Sequence, residues 1–505
     1  MKERTRRIDA ETNRESDGGI VPEKQPNKAN PEAAEVVEGR PPAKRNTGEK
    51  AIERTQNQNP MSCGLEGVRR KAKEDKTCRF TALLHHITPD LLRASFYELN
   101  RKAAEGIDER SWAEYEAQLE ERLPKLHEEI HKGSYRAQPV KRVYIPKTDG
   151  QKRPLGITAI EDKLVQQAVV TVLNQIYETE FYGFSYGYRP GRAPENALDA
   201  LATAILKRPI NWILDADLQK FFDSIPHDRL MEIIRIRVGD KRILRLIGKW
   251  LKTGYIEDGK RYRQTEGTPQ GSVISPLLAN IYLHYVVDEW VEQERRRRNN
   301  GEVIIIRYAD DLVLGFQYKT EAERYLEALG ERVQTYGLKL HPEKTCLKEF
   351  GRYAEERRRK RGEGKPESFD FLGFTHLCSR NRKGGYFLKR KTKTKKMRQK
   401  LSELKEELTK RKHAPIQQTG TWLKSVVQGF GLYFGVPGNS KALRSYRDQV
   451  VKMWLKVLRR RSQKGSALTW EKFNRIVDKY IPHLRICQPF PEVRFAMTQG
   501  RSRMR

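Results

Sequence analysis

The chain lacks any long apolar run. Nothing in its 505 residues approaches the roughly 20 consecutive apolar positions of a helical membrane span. Its first ten residues are charged and carry no apolar h-region, so no secretory leader is expected. Cysteine is scarce and scattered: Cys63, Cys78, Cys346, Cys378 and Cys487 form no C-x-x-C pair. That argues against a disulfide framework and a zinc knuckle, and suits a reducing cytoplasm. Acidic charge is short as well, with 66 Asp+Glu against 99 Lys+Arg and a net charge of +33. Such an excess repels itself unless a polyanion screens it, and nucleic acid is the usual one. A basic surface kept for solubility explains it less well, because acidic surfaces serve solubility better.

Aromatic residues are nearly missing from residues 1–75, a stretch rich in Glu, Lys, Arg, Asn and Pro. It buries too little apolar surface to offset ordering entropy and reads as a disordered basic N-terminal arm. The whole chain is 37% hydrophobic and 33% charged, and its length allows core for about three or four domains. Thr88 is placed to cap a helix with Pro89 at its first position, and a charged helix is expected over Ser111–His131. Residues 138–146 read as a strand followed by a Thr148-Asp149-Gly150 turn. Helices are expected at 161–178, 194–206, 227–238 and 273–294, and again, strongly basic, from about 389 onward. Eight Lys or Arg crowd Lys389 to Lys400, a density better suited to tracking phosphates than to a solvated helix face.

Chemistry concentrates in two short apolar strands that carry acids. One is Trp212–Asp217, continuing through Asp215-Ala-Asp217-Leu-Gln-Lys-Phe-Phe-Asp223; the other is Val303–Leu314, with Asp310-Asp311 between apolar flanks. Acids inside a buried run are expensive unless a cation compensates them. Neighbouring acids on a strand point to opposite faces, so a tight turn at Ala309-Asp310-Asp311 is needed to bring both to the strand tip. Three carboxylates meeting there make a hard-oxygen site for two Mg²⁺ ions of the kind used in phosphoryl transfer. The competing reading places the acids in surface turns; the apolar flanks and the second acidic strand weigh against it.

Tyr308-Ala-Asp-Asp311 resembles the Y-x-D-D box of reverse transcriptases, and residues 215–225 resemble their first palm motif. Gly267-Thr-Pro-Gln-Gly-Ser through Asn280 is similar to the P-Q-G motif and its following helix, and Phe369-Asp-Phe-Leu-Gly-Phe374 to the primer-grip motif. Arg153-Pro-Leu-Gly-Ile157 and Tyr186-Gly-Tyr-Arg-Pro-Gly-Arg192 match finger motifs of the group II intron branch. The resemblance runs from about residue 80 to the C-terminus, with its motifs in order.

It implies an α+β right-hand polymerase: fingers and palm with a small antiparallel sheet over 76–385, a helical thumb over 386–420, and a helical, RNA-binding maturase domain over 421–505. It further implies Asp217 and Asp310 as ligands of both metals, Asp311 as a supporting ligand, and the Leu218 carbonyl completing one shell. Lys147 and Arg153 would clasp the dNTP triphosphate. Phe222, five residues after Asp217, would be the steric gate against ribonucleotides, with Phe221 as core; a core role for Phe222 is the alternative. Gln270 and Gly271 would floor the nascent pair, Phe371, Leu372 and Gly373 would grip the primer, and Lys344 would sit at a general-acid position. Lys389, Arg390, Lys391, Lys393, Lys395 and Lys396 would hold nucleic-acid backbone.

Gly429-Phe-Gly-Leu-Tyr-Phe-Gly435, Leu468–Phe473, Pro482–Arg485 and Pro489–Phe495 carry the maturase resemblance. Their aromatic residues interleave with Arg and Lys, as in RNA-gripping surfaces, although Trp422 and Trp454 fit a helical core equally. With Arg505 following so soon, no Cys- and His-rich endonuclease domain is expected. The implied activity is copying and helping to splice an intron RNA, with an RNA template and a DNA primer or target as partners. The alternatives are a domesticated free-standing enzyme of repair or phage defence, a splicing-only RNA-binding protein, and an RNA-dependent RNA polymerase, which Phe222 and Ala309 disfavour.

Overall fold

The computed structural model describes residues 60–146, 152–297, 300–381, 383–462 and 467–498. Among the described residues the chain is mixed α+β, with three small sheets among many helices. Among the described residues no helix is long and apolar enough to cross a membrane.

The first described element is helix α1, Pro60–Glu74, so residues 60–74 of the expected disordered arm are folded. A sparse stripe explains it: Val68 and Ala72 are buried and Leu65 is partly buried, packed against helix α2, Ile160–Tyr177. Two or three small apolar residues among Arg and Lys carry little periodic signal without the surface they meet. Residues 1–59 lie outside the described residues. The expected cap at Thr88 is present, its side chain accepting from the Leu91 amide at 3.2 Å. The single helix expected over Ser111–His131 is instead two, Trp112–Glu116 and Leu119–Lys132, the first closed by a Ser111–Glu114 capping box.

Strands β1 (Val140–Pro146) and β2 (Lys152–Ile157) form an antiparallel hairpin; β4 (Tyr255–Glu257) and β5 (Lys260–Tyr262) extend it in the order β2-β1-β4-β5. The turn expected at 148–150, and Lys147 with it, fall outside the described residues. Helix α3, Pro194–Lys207, precedes the central sheet, whose order is β6-β7-β3-β8. Its strands are β3 (Trp212–Asp217), β6 (Val303–Tyr308), β7 (Asp311–Phe316) and β8 (Cys346–Glu349). The strands alternate, so each face has its own core. Leu214, Ala216, Leu312 and Leu314 face a cluster containing α2, helix α4 (Ser275–Leu283) and helix α5 (Lys319–Thr335). Ile213, Ile304, Ile306 and Val313 face the other cluster, shared with α3 and the C-terminal half.

That half begins with the antiparallel sheet β9 (Ser368–Phe371), β10 (Phe374–Arg380) and β11 (Tyr386–Thr392). The expectation of helix from about 389 is therefore corrected: Lys389 to Thr392 complete a strand, and helix α6 spans Thr394–Lys410. Along β11 Leu388, Arg390 and Thr392 are buried while Lys389 and Lys391 are more open, a two-residue alternation masked by counting charges. Helices α7 (Ile416–Phe434), α8 (Ser440–Arg459) and α9 (Trp470–Tyr480) follow, with Trp454 fully buried as core. Helix α10, Pro491–Thr498, returns to pack along α3.

Candidate active site

Two of the acids, Asp217 and Asp311, meet at one end of the central sheet, and Asp310 sits in the turn next to them. Antiparallel register pairs Asp217 of β3 with Asp311 of β7, and Asp311 with Tyr308 of β6. Directly paired residues share a face, so Asp217, Asp311 and Tyr308 lie on the same side. Between Tyr308 and Asp311 the chain reverses through Ala309 and Asp310, with Ala309 in the left-handed region at φ 55°. The turn that the doublet required is there. Gly187 lies against it, where a Cβ would stand 2.3 Å from the Ala309 amide nitrogen. That is a close approach only glycine permits.

Beyond Asp217 the chain runs beside residues 339–345. Gln219 donates to the Lys339 carbonyl and His341 to the Asp217 carbonyl, both at 2.8 Å. These bonds flank a Leu218–Leu340 bridge and leave the Leu218 carbonyl out of the ladder. The same segment brings the Lys344 ammonium to 2.7 Å from Asp217 Oδ2. Asp215, two residues back on the same face, is pushed up to about 6 by burial; the Lys348 ammonium at 3.6 Å opposes the shift, and Asp370 and Asp217 add to it.

Among the described residues no three His, Cys, Asp or Glu side chains gather closely enough to form a ready metal site. The donor chemistry nevertheless fits Mg²⁺: two carboxylates share a face at a strand tip, Asp310 adjoins them in the turn, and a backbone carbonyl lies beside Asp217. The Lys344 ammonium already rests on one of these carboxylates, Asp217, and meets its charge.

The P-Q-G segment is stitched to the first acidic motif. The Gly267 amide donates to Ile225 at 2.7 Å and the Thr268 amide to Phe222 at 2.6 Å. His227 Nε2 lies 2.7 Å from the Gly267 carbonyl. Gln270 donates to Asp223 Oδ1 at 3.1 Å and accepts from Arg153 Nε at 3.2 Å, so one carboxamide links the β1–β2 hairpin to the palm-like motif. Gly271 has φ +100°, and a Cβ there would meet the Gly156 carbonyl at 2.5 Å. Phe221 and Phe222 are both buried, with Phe222 edge-on to Tyr188 at 6.3 Å.

Leu372 and Gly373 form the β9–β10 turn at φ 46° and 80° after buried Phe371. Tyr433 donates its hydroxyl to the Leu372 carbonyl at 2.8 Å, anchoring the turn to α7. Lys393 is paired with Asp370 at 2.9 Å, and Lys391 and Lys395 are exposed. Arg390 is a correction. It is 1% exposed and bonded to Asp199 of α3 at 3.1 Å, so it is a structural cation rather than one presented to nucleic acid. A charged residue on the inward side of a strand needs a buried partner, and its partner lies 191 residues away.

Sequence reasoning assigned no role to Asp215, Asp223, His227 or Tyr188. Asp215 and Asp223 flank Asp217 in one short acidic stretch, which was the available signal. Tyr188 lay inside the quoted Tyr186–Arg192 motif without a role of its own, and nothing local marked His227.

Comparison with known proteins follows the same residues. Residues 145–376 match the family described as reverse transcriptase (RNA-dependent DNA polymerase). Protein YkfC of Escherichia coli strain K12 is 32% identical over 348 residues, covering 62% of this chain and 87% of that protein. The group II intron-encoded protein LtrA of Lactococcus lactis subsp. cremoris is 35% identical over 261 residues, 50% of this chain and 42% of LtrA. A putative COX1/OXI3 intron 2 protein of Saccharomyces cerevisiae is 36% identical over 173 residues, 34% of this chain and 20% of that protein.

Proposed function

The chain belongs to the reverse transcriptase family, and from that premise we propose that it is an intron-encoded enzyme that binds its own structured intron RNA, assists its splicing and copies it into DNA at a new site. The observation that carries the reading is the pairing of Asp217 with Asp311 at the tip of the central sheet. The similarity to LtrA supports the intron tie.

In this reading the β1–β2 sheet belongs to the fingers, the central sheet is the palm, residues 386–420 form the thumb, and 421–505 form the RNA-binding maturase domain. Asp217, Asp310, Asp311 and the Leu218 carbonyl would hold two Mg²⁺ ions. Bound there, the pair would activate the primer hydroxyl and stabilise the leaving oxygen. Arg153, oriented by Gln270, clasps the triphosphate with a planar guanidinium, with Lys147 as its companion. Gly271 lets the backbone approach the nascent pair, and Phe222 excludes a 2′-hydroxyl. Lys344 supplies a proton to pyrophosphate from its place beside Asp217, and the turn at Phe371, Leu372 and Gly373 steadies the primer. Lys389, Lys391, Lys393, Lys395 and Lys396 follow the backbone of the bound nucleic acid in the cytoplasm of a bacterial cell.

Sequencing the RNA that co-purifies with the protein from its native cell tests the proposal. One dominant structured RNA encoded around its own gene is the expected result. A diverse pool of transcripts would replace it with a free-standing reverse transcriptase of repair or defence. Bound intron RNA without primer extension would leave a splicing-only protein.

A further inference from the structure

The residue just before the Y-x-D-D box has no assigned task, yet it is one of the most thoroughly held side chains in the chain. Arg307 is 1% exposed, and all five of its guanidinium N–H groups have an acceptor. Nε and Nη2 grip both oxygens of Asp288 at 2.7 and 2.5 Å. Nη2 also donates to Ser185 Oγ at 2.7 Å, and Nη1 to Asn280 Oδ1 at 2.9 Å. The remaining donor goes to the carbonyl of Ala309 at 3.1 Å.

That last acceptor gives the arrangement its meaning. Ala309 is the left-handed residue of the turn that aims Asp310 and Asp311, a conformation that an L-residue with a Cβ resists. Residues from separate motifs converge to hold it. Asp288 ends a single π-helical turn, His284–Asp288, inserted after α4. Such an insertion changes the register in which later side chains face the sheet. Asn280 accepts from Arg307 and donates to the Gly187 carbonyl at 2.8 Å, tying down the glycine that presses on Ala309. The backbone of Arg307 is clasped as well, donating to Phe184 at 2.9 Å and accepting from Tyr186 at 2.8 Å.

We propose that Arg307 is a positioning residue: its guanidinium, fixed by Asp288, Asn280 and Ser185, clamps the Ala309 carbonyl, holds the turn left-handed and so sets the aim of the Asp310–Asp311 doublet. The inference rests on the reading of that doublet as the metal-binding acids. Lysine keeps the charge but loses the planar fork, and cannot reach four partners in their fixed directions. Glycine at position 309 would adopt the left-handed conformation without a clamp.

The test is a double-mutant cycle between Arg307→Lys and Ala309→Gly, read by steady-state primer extension on an RNA template. Arg307→Lys lowers kcat by about 10²-fold, the scale of a small misplacement of reacting groups. KM for dNTP and affinity for primer–template change far less, which assigns the loss to the chemical step. Made together with Ala309→Gly, the same substitution costs several-fold less. Mn²⁺ affinity, titrated on the free protein by electron paramagnetic resonance, falls and recovers in parallel. Equal losses in both backgrounds, or unchanged kcat, overturn the proposal and leave Arg307 as core support. If Arg307→Lys does not fold, Asp288→Asn, which keeps the shape and loosens the guanidinium, takes its place in the cycle with the same two outcomes. A wild-type protein that extends no primer, or an Asp310→Asn variant that does, would instead overturn the polymerase site itself.

Discussion

Arg307 in the central sheet and Arg390 in the C-terminal sheet are both 1% exposed, and each faces a buried aspartate. They are held very differently. Arg307 grips both oxygens of Asp288, which the charge of Arg189 also reaches, and has every donor engaged. Arg390 makes one bond to Asp199, its Nη2 has no hydrogen-bond partner among the described residues, and Asp199 also accepts from Arg494 of the C-terminal helix α10. Burial pulls the Arg390 pKa below its ordinary value, and Asp199 works against that shift. A buried cation is tolerable only when it is compensated, and how fully it is compensated shows what the region is built for. The central sheet turns burial into fixed geometry beside the acids. The C-terminal sheet turns it into a single latch joining β11, α3 and α10.

If that contrast holds, Asp310→Asn has the largest effect and a purely chemical one. DNA synthesis falls to background in primer extension, while RNA binding and thermal stability hold, because metal ligation weakens with little change in total charge. A variant that melts early would blur the distinction between the regions. Next comes Asp199→Ala, which strands Arg390 and weakens the hold on Arg494. It lowers unfolding free energy by about 3–5 kcal/mol, the cost of removing one partner of a buried pair. Limited proteolysis should then reach α10 first; unchanged stability would end the latch description.

A third difference appears with acid. His376 in β10 is fully buried against Phe369 at 4.7 Å, and burial holds its pKa down to about 3. The unfolded chain takes up a proton at its ordinary value near 6.5. Between those values the folded ring refuses that proton, so stability present above pH 6.5 is lost as pH falls, by about 1.4 kcal/mol per unit. His376→Phe removes one proton from that slope, measured in denaturant melts. His284, in the helix behind the central sheet and also held near 3, keeps its share. An unchanged slope would show that His376 already ionises in the fold. The smallest effect separates strand neighbours. Lys391→Ala should reduce the salt slope of RNA binding by about 0.9, one phosphate contact's worth. Arg390→Met should leave that slope alone, and a drop of equal size would return Arg390 to the nucleic-acid surface.

Legibility followed the range of the interactions. The acidic strands could be read because apolar runs interrupted by Asp are costly unless something compensates them, and the doublet needed a turn to serve one site. The helix Pro60–Glu74 was hidden because its stripe is only Leu65, Val68 and Ala72 and has value only against the surfaces it meets, chiefly α2. The strand at Tyr386–Thr392 was hidden because a buried arginine looks like an exposed one until Asp199 arrives from 191 residues away.

By itself the sequence determined which residue types the chain commits to chemistry: paired acids on apolar strands, a glycine-bearing P-Q-G segment, and a large excess of positive charge. Local rules suffice for these, since strand alternation and turn stereochemistry act over a few residues. Only the tertiary structure decided that Lys344 rests on Asp217 across 127 positions, that Gln270 joins Asp223 to Arg153, and that one arginine serves a turn while another is sealed in a core. Those outcomes depend on which surfaces meet, and the cost of burying a charge is settled only when its partner is in place.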